Sequence, residues 1–150
     1  MKLIQVHDDG ADGPGRQPGV LQFVFIALFS AACLTVAALA LGPPPSGLAP
    51  GQDKLLHFAA FAVLTILGAL AFYRISVWAP AVGLLAGGIA IELLQGIPGI
   101  NRSMSLADVM ADAAGIAAGL VIVAIVTFAW SALRSAYRKF GHEGREGLDG

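Results

Sequence analysis

The chain alternates between long apolar runs and short polar stretches. Runs of predominantly hydrophobic residues cover about positions 20–42, 55–73, 78–96 and 106–130. Each is long enough to cross the roughly 30 Å hydrocarbon core of a bilayer as an α-helix, which rises about 1.5 Å per residue. The pattern therefore predicts an all-α membrane protein in which four transmembrane helices pack as a small bundle.

The segments outside these runs are polar or contain helix-breaking residues. Three prolines at 43–45 follow the first run, and Pro98-Gly99 ends the third. Residues 1–19 are rich in Gly, Asp and Pro, so we expect a flexible cytoplasmic tail there, and residues 131–150 form a second polar tail. The first run is longer than the apolar region of a signal peptide and follows an acidic tail, which favours a retained span.

Composition supports membrane insertion and excludes one class of partner. Of the 150 residues, 57% are hydrophobic and only 13% are charged, whereas soluble domains are about 45–50% apolar and about 25% charged. The formal net charge is −1, and no basic stripe lies outside the membrane-flanking positions, so nucleic acid is not an expected partner. The single cysteine, Cys33, cannot form an internal disulfide.

The distribution of basic residues predicts the orientation. Four spans place both termini on the same side of the membrane, together with the loop between the second and third spans. Near the membrane, that side carries Arg16, Arg74, Arg134, Arg138, Lys139 and Arg145. The opposite side carries only Lys54 and Arg102. The positive-inside rule then predicts a multi-pass protein of the bacterial cytoplasmic (inner) membrane with both termini in the cytoplasm.

Polar side chains gather at the ends of three runs that this topology brings to the outer side. They are Lys54 and His57 in the second run, Glu92 and Gln95 in the third, and Arg102, Ser105, Asp108 and Asp112 at the start of the fourth. Spacings of three or four residues put the members of each set on one helical face. Because a charge facing lipid at the bilayer centre costs at least about 2.5–3.5 kcal/mol, we expect these groups to face one another in an outward-facing polar pocket.

Two glycine pairs predict close helix contacts. Gly83 and Gly87 lie four apart in the third run, and Gly115 and Gly119 lie four apart in the fourth. Such pairs let helix backbones approach, either within the bundle or in a homo- or hetero-oligomer. The first run carries no charged residue, so its helix is expected at the periphery of the bundle.

Three segments together resemble a known family. They are Asp53-Lys54-x-x-His57, Glu92-x-x-Gln95 and Arg102-x-x-Ser105-x-x-Asp108-x-x-x-Asp112-x-x-Gly115. In this order, each at a helix end, they are similar to the VanZ-like family of bacterial membrane proteins. The resemblance covers about residues 50–120. This chain has Asp112 where many family members carry Asn, so no family role is transferred to that position.

The resemblance implies a setting rather than a reaction. The family takes its name from a protein linked to teicoplanin resistance, which implies a role in the cell envelope and in antibiotic resistance. It does not imply an enzymatic activity, and the sequence leaves open whether the chain is an enzyme.

The polar residues leave three interpretations open. In the first, they bind a lipid-linked envelope precursor, a lipid headgroup or a glycopeptide at the outer leaflet, with Lys54, His57 and Arg102 holding an anionic group. In the second, they only fix helix packing through ion pairs and hydrogen bonds. In the third, His57 or Glu92 acts as the general base of an enzyme acting on a headgroup or precursor.

Among the possible ligands of these polar residues, the sequence favours a metal ion least. A metal site would have to use His57, Glu92, Asp108 and Asp112, and no pair of histidines has the spacing of a metal-binding motif. We therefore predict no metal and no cofactor.

Overall fold

A computed structural model describes residues 19–43, 47, 49, 51–97 and 103–146 of the protein. In this part of the chain the regular secondary structure is entirely helical. The helices are α1 (Val20–Leu41), α2 (Gln52–Ala71), α3 (Trp78–Gln95) and α4 (Leu106–Glu146). The predicted all-α class and the number of helices are therefore confirmed for the described residues.

All four helices are long and apolar enough to cross a membrane. In α4 the candidate span covers Leu106–Arg138. Large apolar side chains are exposed on every helix, among them Leu21, Val63, Val82 and Ile125. Contiguous apolar surface of this kind is unfavourable in water and favourable in lipid, so the chain has the character of a multi-pass membrane protein.

The helix ends differ from the predicted runs by three residues or more in two places. Helix α2 begins at Gln52 rather than near 55, because Gly51 turns the chain with a φ of 85° and the Gln52 side chain accepts a 2.9 Å hydrogen bond from the backbone N–H of Ala49. Helix α4 continues without a break past Trp130 to Glu146. The polar tail predicted for 131–150 therefore begins as helix, because several of its residues are good helix formers.

Helix α2 occupies the centre of the bundle. It packs most extensively against α4 and also contacts α1 and α3. Helix α1 packs against α2 and α3, and within the described residues it makes no packing contact with α4. This edge position agrees with the expectation that the first helix is peripheral.

Helices α2 and α4 run parallel, because the residue numbers of their contacting pairs increase in the same direction along both helices. Lys54 lies beside Asp108, and His57 lies beside Asp112. One turn further on, a side chain at Gly115 would overlap the backbone carbonyl of Phe58. The two helices are therefore in backbone contact, which requires the missing side chain of Gly115.

The two glycine pairs differ in their surroundings. Gly119 continues the close contact of α4 with α2, since an added Cβ there would lie 2.6 Å from Thr65 Cβ. Gly83 and Gly87 have no atom within 4 Å of an added Cβ. The Gly115/Gly119 face is thus used inside the chain, whereas the Gly83/Gly87 face is open among the described residues.

Candidate functional site

The polar side chains meet at one end of the bundle, which we call the polar cluster. It consists of Lys54, His57, Glu92, Ser105, Asp108 and Asp112. The amino-terminal ends of α2 and α4 and the carboxyl-terminal end of α3 meet there because α3 connects two parallel helices. The topology therefore brings together six of the eight residues singled out in the sequence.

His57 and Asp112 link α2 to α4. His57 Nδ1 lies 2.9 Å from Asp112 Oδ1, and the Asp112 side chain is only 2% exposed. Asp112 Oδ2 lies directly above Gly88 of α3, 2.6 Å from the position that a Cβ would take. Because a carboxylate only accepts, the Nδ1–H of His57 donates this hydrogen bond, and in the neutral imidazole the lone pair is then on Nε2.

Glu92 supports the start of α4 from the neighbouring helix. Its Oε2 accepts a 2.8 Å hydrogen bond from the backbone N–H of Ser105, and the residue is 2% exposed. Ser105 Oγ in turn accepts from the backbone N–H of Asp108 at 3.3 Å, as an N-cap residue does. In a capping box, the backbone N–H of the N-cap residue donates to the side chain of a Glu or Gln three residues later in the same helix. Here Glu92 of α3 accepts that bond from Ser105 instead.

Lys54 lies at the solvent-exposed edge of the cluster. Its Nζ is 3.0 Å from Asp53 Oδ2 and 3.6 Å from Asp108 Oδ1. The lysine and Asp53 side chains are each 44% exposed, whereas that of Asp108 is 13% exposed. A separation of 3.6 Å is too long for a hydrogen bond, so Asp108 gains only a screened attraction from this lysine.

Two carboxylate oxygens in the cluster have no hydrogen-bond partner within the described part of the chain. They are Glu92 Oε1 and Asp108 Oδ1, and both atoms are buried. One ring nitrogen of His57 and one carboxylate oxygen from each of Glu92 and Asp108 lie within 4.8 Å of one another. Buried charged oxygens are costly unless paired, so this is where the cluster has capacity for a further partner.

The other two predicted site residues have different outcomes. Gln95 is 2% exposed, and its Nε2 donates a 2.8 Å hydrogen bond to the backbone carbonyl of Ala40. That carbonyl is among the last four of α1, which have no partner inside their own helix. Gln95 thus connects α3 to α1 and does not point at the cluster's free oxygens. Arg102 lies outside the described residues.

Three further residues were not singled out in the sequence. Gly88 admits the Asp112 carboxylate, and Ala40 supplies the carbonyl for Gln95. At the other end of the bundle, Gln22 Nε2 donates to the Ala71 carbonyl at 3.2 Å. Gln22 is the one amide side chain in the first apolar run, which is a visible signal, whereas nothing local marks Gly88 or Ala40.

An apolar groove of about 610 Å³ lies between α1 and α3, with α2 as its floor. We call it the α1/α3 groove, and its walls include Phe29, Cys33, Gly83 and Gly87. Phe61 and Gly88 also line it. Gly88 is the residue beneath Asp112 Oδ2, so the groove and the polar cluster share a wall with no side chain at that point.

Comparison of the chain with protein-family models, with curated proteins and with solved structures finds no match. The resemblance to the VanZ-like family therefore stays a prediction from the motifs.

Proposed function

We propose that the chain is a VanZ-like protein of the bacterial cytoplasmic membrane that binds an amphiphilic envelope ligand, either a phospholipid or a lipid-linked precursor. The observation that supports this is the shared wall between the α1/α3 groove and the polar cluster at Gly88. A ligand with an apolar chain and a polar head matches two adjoining surfaces of opposite character.

The groove suits an acyl or isoprenoid chain. Its volume of about 610 Å³ falls within the about 300–1,000 Å³ typical of small-molecule sites. The glycines at 83 and 87 are exposed along its length, so a chain can lie against the helix backbone. In a bilayer this surface is in contact with lipid, and an acyl chain enters it without crossing water.

The cluster suits the head of such a ligand. Lys54 is partly exposed and offers a cation to an anionic headgroup, and the sequence places Arg102 just before α4. The amino-terminal ends of α2 and α4 add the positive ends of two helix dipoles. With both termini in the cytoplasm, as the basic residues predict, this head site lies at the outer leaflet.

A second function has its own support. His57–Asp112, Gln95–Ala40 and Glu92–Ser105 are all contacts between helices. Such bonds stabilise a membrane bundle by about 0.6 kcal/mol each on average. In this alternative the polar residues fix helix packing for a structural or partner-binding role and no ligand is held.

Native mass spectrometry of the detergent-purified protein separates the two functions. Wild type is compared with Gly87→Phe, which fills the groove, and with Ala86→Phe, which adds the same ring at an exposed position that does not line it. Ligand binding predicts a co-purifying lipid mass that Gly87→Phe loses and Ala86→Phe retains. A folded wild type that carries no lipid, or that carries the same lipid in both variants, favours the structural role.

A further inference from the structure

Two buried carboxylate oxygens of the polar cluster accept no hydrogen bond from the described residues. Glu92 is only 2% exposed, and its Oε1 has no hydrogen-bond partner in the described residues. Asp108 Oδ1 is also buried and has no hydrogen-bond partner in the described residues, and its ion-pair partner, Lys54 Nζ, lies 3.6 Å away. Two buried carboxylates facing one another repel, and an apolar environment strengthens the repulsion.

His57 presents a third ligand atom to the same point. Its Nδ1 contacts the deeply buried Asp112 at 2.9 Å, which fixes the ring orientation, and in the neutral imidazole Nε2 carries the lone pair that a metal ion would bind. A carboxylate that accepts from the far nitrogen of an imidazole is the usual support of a metal-binding histidine. The arrangement differs from a simple ion pair because one ring nitrogen of His57 and one carboxylate oxygen each from Glu92 and Asp108 converge.

The spacing of the three groups is close to that of a coordination shell. Their ligand atoms lie within 4.8 Å of one another. Three ligands bound to one ion at about 2.0–2.2 Å lie about 3.3–3.8 Å from one another in tetrahedral or trigonal geometry, so the three atoms come into range if each moves by less than about 1 Å. Rotation of the carboxylates alone provides such a shift.

We propose that His57, Glu92 and Asp108 bind a divalent transition-metal ion, with Asp112 as the positioning residue for the histidine. One nitrogen and two carboxylate oxygens are a donor set that suits Mn²⁺ and Zn²⁺ better than Ca²⁺, which prefers six to eight oxygens. The ion neutralises the two buried carboxylates and satisfies the two oxygens that lack hydrogen bonds. Three protein ligands leave coordination positions open to water or to an oxygen of a ligand. This site does not depend on the proposed lipid-binding function.

The test is a titration of the chelator-stripped, full-length protein in detergent with Mn²⁺, followed by electron paramagnetic resonance. We expect one Mn²⁺ per chain, competition by Zn²⁺, and a pulsed-resonance signal from a directly bound ¹⁴N. His57→Gln removes the ¹⁴N signal, and the double variant His7→Gln/His142→Gln keeps it, which excludes the histidines of the two tails.

Asp112→Asn weakens Mn²⁺ binding by about 10–100-fold, as loss of a supporting carboxylate does, and Glu92→Gln and Asp108→Asn weaken it further.

Asp53→Asn is the matched control, because Asp53 contacts Lys54 but is not part of the three-ligand set. It leaves the Mn²⁺ affinity unchanged. Wild-type protein that is folded and binds no Mn²⁺ or Zn²⁺ overturns the proposal, as does binding that Glu92→Gln and Asp53→Asn affect equally. If the carboxylate variants fail to fold, the ¹⁴N signal still tests the site. A signal in the wild type that persists in His7→Gln/His142→Gln assigns the bound nitrogen to His57, and its absence from the folded wild type contradicts the proposal. Because no lipid is added, the outcome is independent of the lipid mass measurement.

Discussion

At the residue scale, the same residue type has opposite roles at positions that look alike in the sequence. Gly115 and Gly83 each begin a glycine pair with spacing four. Only Gly115 faces another helix, because α2 and α4 are in backbone contact at Phe58. Gly83 faces the α1/α3 groove and has no neighbour within 4 Å of an added Cβ.

This contrast predicts different effects of one methyl group. Gly115→Ala pushes a Cβ into the backbone of Phe58, which cannot move as a flexible side chain would. We expect the free energy of unfolding to fall by about 1–3 kcal/mol, the usual cost of overpacking. Gly83→Ala is the control and leaves stability unchanged or raises it by up to about 1 kcal/mol through helix propensity. Unfolding in mixed detergent micelles measures both, and equal effects would contradict the α2–α4 contact.

At the element scale, helix ends are held by amide side chains from neighbouring helices. Gln95 of α3 donates to the Ala40 carbonyl at the end of α1, and Gln22 of α1 donates to the Ala71 carbonyl at the end of α2. Both acceptors are terminal carbonyls that have no partner in their own helix and little access to water. Each glutamine therefore fixes the lateral position of one helix pair.

Removal of one such bond has a measurable cost. Gln95→Leu preserves approximate volume and loses the bond to Ala40, so we expect the unfolding free energy to fall by about 0.6 kcal/mol and by no more than about 1.7 kcal/mol. Thr127→Val is the control, because among the described residues the Thr127 hydroxyl bonds only to carbonyls of its own helix, at Val123 and Ala124. Mixed-micelle unfolding of the two variants provides the comparison. A loss no larger for Gln95→Leu than for Thr127→Val would show that the α1–α3 bond contributes nothing.

At the scale of the whole molecule, the chain has one polar end and one basic end. The polar cluster lies where α2 and α4 begin. At the opposite end, Arg74 lies 5.7 Å from the Tyr73 ring centre and Arg134 lies 5.0 Å from that of Trp130. Aromatic and basic residues together are typical of the cytoplasmic membrane interface. This asymmetry is what predicts that the cluster faces outward.

A topology reporter tests the orientation. A fusion after Gly47, in the connection between α1 and α2, should report a location outside the cytoplasm. A fusion after Ser76, between α2 and α3, is the control and should report a cytoplasmic location. The reverse pattern would place the polar cluster at the inner leaflet and remove the outer-leaflet ligand from the proposed function, although the metal site would be unaffected.

The sequence by itself determined the four apolar segments that are helices, although not the continuation of α4 past Trp130, and it determined the end of the bundle at which the ionisable residues meet. Apolar length and helix alternation set the depth of each side chain in the membrane, so the meeting of Lys54, His57, Glu92 and Asp108 followed from position alone. The rotation of each helix about its axis and the choice of its neighbours depend on packing between segments far apart in the chain. Only the tertiary structure could therefore decide that Gln95 binds α1, that Gly88 lies beneath Asp112, and that two buried carboxylate oxygens accept no hydrogen bond from the described residues.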